Sequence, residues 1–77
     1  MFENSPYKQI DRHDAVYDDG IVKLKLNVES FIREDNKCGY AVYLSEINPP
    51  LAPDDYNRVV ENISRNHADR GLLCSIE

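Results

Sequence analysis

The sequence predicts a small α+β domain: a largely antiparallel sheet of about four strands, in the order β-β-β-α-β, packed on one helix. Three observations predict it. Val22, Leu24, Leu26 and Val28 alternate with Lys23, Lys25, Asn27 and Glu29, which is the period of a half-buried strand. Tyr40, Val42 and Leu44 repeat that period after a polar break at Arg33–Lys37. Tyr56, Val59, Val60 and Ile63 then recur at helical spacing, and His67 extends the stripe by a turn.

Each element follows in order. His13 to Tyr17 reads as a first strand, and Asp19-Gly20 as a two-residue hairpin loop. That loop sets Tyr17 opposite Val22 and Asp14 opposite Lys25, with Ala15 and Tyr17 on the core face. For the next hairpin, Leu24, Leu26 and Val28 must share a face with Tyr40, Val42 and Leu44. Pairing Val28 with Val42 and Leu26 with Leu44 achieves this, with Arg33–Lys37 as the connection. A slip of one residue would turn all these side chains to water. Phe31 and Ile32 are both apolar and break the alternation, so a bulge or twist is expected there. The opposite face carries Lys23, Lys25, Asn27 and Glu29 beside Ala41, Tyr43, Ser45 and Ile47, with Tyr43 and Ile47 as a contact patch.

Asn48-Pro49-Pro50 ends the sheet segment, because proline cannot donate to a ladder. The helix starts at Pro53 or Asp54; Pro53 suits a first turn, Asp54 and Asp55 suit the positive end of the dipole, and Ala52 is a poor cap. Gly71 stops it. Leu72 to Ile76 form a last strand, either parallel to the Cys38–Ile47 strand or on the other edge. The whole chain, 1–77, is expected to be a single domain, with 1–11 a flexible or partner-ordered segment. Pro6 argues against a central strand there.

Seventy-seven residues form one domain. A chain of that size buries only about 60–65% of the surface its unfolded form exposes, which favours a partner, a metal or a second copy. Nine basic residues stand against fourteen acidic ones, a net charge of −5. The net negative charge lies toward the two ends, −3 over residues 1–20 and −2 over 48–77, with 21–47 neutral. Such a chain repels phosphate and favours basic protein surfaces. No basic stretch followed by an apolar run marks a signal peptide, and no segment has the length of a membrane span, so a cytoplasmic location is expected. Cys38 and Cys74 are then expected to be reduced and to pack as small buried hydrophobes.

No constellation points to catalysis. His13, Cys38, His67 and Cys74 have the ligand count of a structural zinc but lack its close pairs. His67 is either a pH-responsive base or a core-edge residue at the helix C-terminus, and His13 lies at the core rim. The pairs Glu34-Asp35 and Asp54-Asp55 and the cluster Asp11, Asp14, Asp18 and Asp19 all fall at turns or a helix start, where aspartate is favoured by the backbone. No phosphate loop, nucleophile elbow or metalloprotease motif is present, and no cofactor or metal is expected.

These features predict a non-enzymatic protein-binding module. A specific form is a small acidic inhibitor of a nucleic-acid-handling or defence enzyme, of the phage anti-defence type. Its contacts are expected in an acidic edge (Asp11, Asp14, Asp18, Asp19) and in apolar anchors (Phe2, Tyr7, Tyr43, Ile47). Two alternatives stand beside it. One is a small homodimeric structural or regulatory subunit, joined through an edge strand or the Ala41/Tyr43/Ile47 face. The other is a nucleic-acid binder using the Lys23/Lys25 face.

Overall fold

The computed structural model describes residues 5–47 and 50–77. Among these, five strands and one helix follow in order: β1 Tyr7–Gln9, β2 Asp14–Asp18, β3 Lys23–Ile32, β4 Cys38–Tyr43, α1 Pro53–Asp69 and β5 Leu73–Ile76. The sheet order is β1-β2-β3-β4-β5. Its first four strands form an antiparallel meander, and β5 joins β4 in parallel. A parallel neighbour requires a crossover, and α1 supplies it. The chain is therefore an α+β fold, with one more strand than the periodicity indicates.

The additional strand is β1. Three residues are too few to show a period, and Pro6 stands immediately before them. The strand is an edge, where a preceding proline costs no ladder bond. Tyr7 pairs with Tyr17 and is 2% exposed, so the expected partner-ordered segment contributes a core residue.

The β3–β4 register has Val28 opposite Val42, as the parity argument requires. No bulge interrupts it: pairing is continuous from Asn27/Tyr43 to Ile32/Cys38. Phe31 consequently falls on the face away from the helix. Ile32 has core parity but is 71% exposed at the strand end.

The β2–β3 register departs from expectation by two residues. Tyr17 lies opposite Leu24 and Asp14 opposite Asn27, while Asp18 takes Lys23. The reason is the turn. Asp19 N–H donates to Val22 O at 3.2 Å, so Gly20 and Ile21 form the loop. Asp19 Oδ1 accepts from the N–H groups of Ile21 (2.9 Å) and Val22 (2.8 Å), and Asp18 Oδ1 accepts from Gly20 N–H (3.0 Å). Gly20 takes φ +86°, which a side chain would resist. A two-residue shift keeps every side chain on its expected face.

α1 begins with Pro53 after an Ala52 that offers no side-chain cap, and Asp54 and Asp55 occupy its first turn. It closes with Gly71 N–H on Ala68 O (3.0 Å) and Leu72 N–H on His67 O (2.9 Å), the Schellman pattern, with Gly71 at φ +70°. The core lies between α1 and one sheet face. Tyr7, Ala15, Tyr17, Leu26, Val28, Val42 and Leu44 meet Val59 and Ile63 there. Among the described residues, no helix is long and apolar enough to cross a membrane.

Candidate functional site

One helix covers one face of the sheet. The pairings assign Lys8, Asp14, Val16, Asp18, Lys23, Lys25, Asn27, Glu29, Phe31, Ala41, Tyr43, Leu73 and Ser75 to the other face. Val16, Lys23, Lys25, Asn27 and Glu29 are exposed; Phe31, Ala41, Tyr43 and Leu73 are half-buried.

Tyr43 organises the β4 side of this face. Its hydroxyl donates to Glu29 Oε2 at 2.7 Å. That bond, some burial and the negative charges of Glu29, Glu77 and Glu46 hold its pKa above the ordinary tyrosine value. Each of the three carboxylates is tethered by a neutral donor. Tyr43 holds Glu29, Asn27 Nδ2 holds Glu46 Oε1 at 2.9 Å, and Ser75 Oγ donates to Glu77 Oε2. An aromatic ring among fixed carboxylates attracts cations through both the ring face and the oxygens. Among the described residues, no group of His, Cys, Asp or Glu side chains is placed to hold a metal ion.

The β2 side of the face differs. Lys23 stands opposite Asp18 and Lys25 opposite Val16, so lysines and aspartates interleave. A hollow of about 470 Å³ lies there, lined by Val16, Asp18, Lys23 and Lys25 with parts of Tyr17 and Leu24. Its two lysines outnumber its one aspartate, unlike the surroundings of Tyr43, which are acidic.

The expected acidic edge is divided. Asp19 turns under the helix, where its Oδ2 accepts from Tyr17 Oη and Arg58 Nε, both at 2.7 Å. Asn62 Nδ2 donates to Tyr17 Oη at 2.9 Å, and Arg58 also pairs with Asp55 at 2.9 Å. Burial alone would raise the Asp19 pKa. The hydrogen bonds from Arg58, Tyr17 and the backbone outweigh it and hold the carboxyl well below the usual range. Asp11 is committed to its own bend, where its Oδ1 accepts from the N–H groups of His13 (2.8 Å) and Asp14 (2.9 Å), bonds that also lower its pKa. Asp14 and Asp18 remain on the helix-free face beside Lys23 and Lys25.

The apolar anchors divide too. Tyr43 lies on the helix-free face. Tyr7 is core and unavailable to a partner. Ile47 leaves the sheet: β4 ends at Tyr43, Ile47 N–H donates to Leu44 O at 3.2 Å, and the side chain packs against the core. It lines a hollow of about 240 Å³ with Leu44, Leu51 and Tyr56. Phe2 lies outside the described residues.

His67 is fully buried, with its ring 5.1 Å from that of Tyr7 and 6.0 Å from that of Tyr40. Its Nδ1 lies 2.8 Å from Ile63 O. A carbonyl only accepts, so Nδ1 carries the proton and Nε2 is a bare acceptor. Nε2 and the Tyr7 hydroxyl are buried without hydrogen-bond partners among the described residues. Burial holds the His67 pKa below its ordinary value and pushes the Tyr7 hydroxyl up to about 12. Cys74 is half-buried near Ser64, its thiol pushed up by burial. Cys38, expected to be buried, is exposed because it pairs with Ile32 at the far end of the hairpin. His13 is exposed in a bend rather than at the core rim.

Glu29, Glu46, Glu77 and Asn27 were not among the expected site residues. The signal for Glu29 is in the register, which sets it opposite Ala41 and diagonal to Tyr43 on the same face. Glu46 and Glu77 carry no such signal, since their positions depend on the end of β4 and the placement of β5. Compared with family models, curated proteins and solved structures, the chain matches none of them.

Proposed function

We propose that this chain is a non-enzymatic protein-binding module that docks a basic protein surface on the helix-free face of its sheet, centred on Tyr43. The observation that carries this reading is the set of Glu29, Glu46 and Glu77 around the Tyr43 ring, each held by a neutral donor. A lysine or arginine entering there meets fixed carboxylates and an aromatic face, with little reorganisation required. Phe31, Ala41 and Leu73 supply half-buried apolar area on the same face, and charged residues surround it.

The net charge of −5 favours a partner whose basic residues otherwise meet phosphate. The specific form of the proposal is therefore an inhibitor of a nucleic-acid-handling or defence enzyme. It occupies the basic groove with carboxylates in place of phosphates.

Affinity capture with the wild-type chain and with Tyr43→Ala, followed by titration of the captured protein, tests this. The expected result is a stoichiometric partner held by the wild type and bound at least about tenfold more weakly by Tyr43→Ala. Equal binding by both chains would remove Tyr43 from the interface and end the proposal. Retention of nucleic acid instead of protein would favour the Lys23/Lys25 alternative.

A further inference from the structure

We propose that β1 is a pH-operated latch: protonation of His67 releases Ser5–Gln9 from the sheet while the rest of the fold stays in place, which uncovers the outer edge of β2. The surroundings of the ring are the first argument. His67 is fully buried, with its ring 5.1 Å from that of Tyr7 in β1 and 6.0 Å from that of Tyr40 in β4. Its Nδ1 is committed to Ile63 O at 2.8 Å. A second proton must therefore go on Nε2, which is buried without a partner among the described residues. The titratable groups about the ring are Tyr7 from β1, Tyr40 from β4, Arg70 at the end of α1, and Cys74 of β5 beside Tyr7. None is a carboxylate, and Arg70 is itself a cation. A buried imidazolium thus has neither an acceptor nor a counter-charge, and the closed form resists it.

Water reaches Nε2 when one of the two tyrosine covers leaves. Tyr40 lies in β4, a strand of six residues paired with β3 on one side and β5 on the other. Tyr7 lies in β1, a strand of three residues at the end of the sheet. The ties of this segment to α1 are few and polar. Asn66 Nδ2 donates to Ser5 Oγ at 2.9 Å and to Tyr7 O at 3.5 Å, and Arg70 Nη2 donates to Gln9 Oε1 at 3.3 Å. Water can replace each of them. β1 is therefore the cover whose departure disturbs least. Once it has left, the imidazolium lies in the last turn of α1, where the helix dipole favours a cation.

The two sides of β2 report the motion separately. Asp18 N–H donates to Pro6 O at 2.9 Å, and Ile10 N–H donates to Asp14 O at 2.9 Å. Asp19 N–H donates to Val22 O and Val28 N–H to His13 O on the other side. Antiparallel alternation then points the N–H groups of Val16 and Asp18 at β1, and those of Ala15 and Tyr17 at β3. The opened molecule presents Val16 and Asp18 as a free sheet edge, able to accept another strand.

In the open form His67 titrates near its ordinary value of about 6.5, so that form binds more protons and is favoured as pH falls. From about pH 7.5 to about pH 5.5 the opening equilibrium is expected to rise by roughly tenfold. Native-state amide exchange at zero and low urea, corrected for the intrinsic pH dependence of the exchange chemistry, tests the proposal. The Val16 and Asp18 amides are expected to be less protected than those of Ala15 and Tyr17 and insensitive to low urea, because little surface is exposed. Across that pH range they are expected to lose protection by about tenfold. His67→Leu, and His67→Asn, which keeps a neutral donor for Ile63 O, are each expected to abolish this response. Equal protection and equal urea dependence at all four amides of the wild type would overturn the proposal, because β1 would then leave only with the whole fold. So would protection at Val16 and Asp18 that ignores pH, or a pH response that survives in either variant.

Discussion

His67 shows how one buried side chain couples this fold to pH. Its ring is enclosed by Tyr7 from β1, Tyr40 from β4 and its own helix, with Arg70 one turn on and Cys74 near Tyr7. None of these groups supplies a negative charge to a protonated imidazole at neutral pH. The folded-state pKa is lowered, so between it and the unfolded value of about 6.5 the unfolded chain binds more protons. The contribution to stability is complete above that unfolded value and is lost as pH falls toward the folded one. The urea midpoint is therefore expected to fall as the pH drops through and below about 6.5, and His67→Leu should flatten that slope. An equally steep slope in His67→Leu would assign the dependence elsewhere. Asp19 works in the opposite chemical sense. Its pKa is also lowered, but for a carboxyl this means that stability is present above about 3.9 and is lost only as pH falls through the folded value. Asp19→Asn removes the charge that Arg58 and Tyr17 address and is expected to cost about 1–3 kcal/mol in urea unfolding. Asp18→Asn, at an exposed turn position, should cost much less.

At the scale of elements, the contact between β4 and β5 rests on a glycine. A Cβ built on Gly39 would lie 2.6 Å from both the Cβ and the carbonyl oxygen of Leu73. Part of that obstruction is backbone, so a side chain at 39 must push β5 away rather than rotate a neighbour. Gly39→Ala is expected to destabilise by about 1–3 kcal/mol. Faster amide exchange in Ser75 and Glu77 than in the β2–β3 ladder would locate the damage. Uniform loss across the sheet would contradict it. The Asp19 turn is the second joint of this kind. It fixes the β2–β3 register through backbone N–H groups and ties the hairpin to α1 through Arg58.

For the whole molecule, charge and burial are distributed unequally. Asp19, Arg58 and Asp55 are spent between the hairpin and the helix, whereas Glu29, Glu46 and Glu77 face outward around Tyr43. A basic partner should feel the second group at long range. Replacing Glu29 and Glu46 with glutamine is expected to slow association by several-fold at low salt and to shrink the salt dependence, with dissociation changed less. Stopped-flow measurement at two ionic strengths checks this. An unchanged association rate would mean that the partner approaches from another side.

Features that depend on period and local chemistry are legible in the residues themselves. Alternation over Val22–Val28 and Tyr40–Leu44 set the faces of β3 and β4, and parity excluded any one-residue slip between them, because such a slip exposes the core. Proline, aspartate and glycine marked the ends of α1 for backbone reasons. The tertiary structure decided what depends on distant neighbours. Tyr7 became core because a three-residue edge strand found Tyr17, a pairing no periodicity records. Asp19 left the acidic edge because its oxygens were claimed first by its own turn and then by an arginine 39 residues on. Glu77 joined Tyr43 because α1 returns the chain in parallel beside β4, and Glu46 because β4 ends at Tyr43 and the following turn brings its carboxylate to Asn27. Both β5 placements satisfy the same hydrophobic pattern, and only packing between helix and sheet distinguishes them.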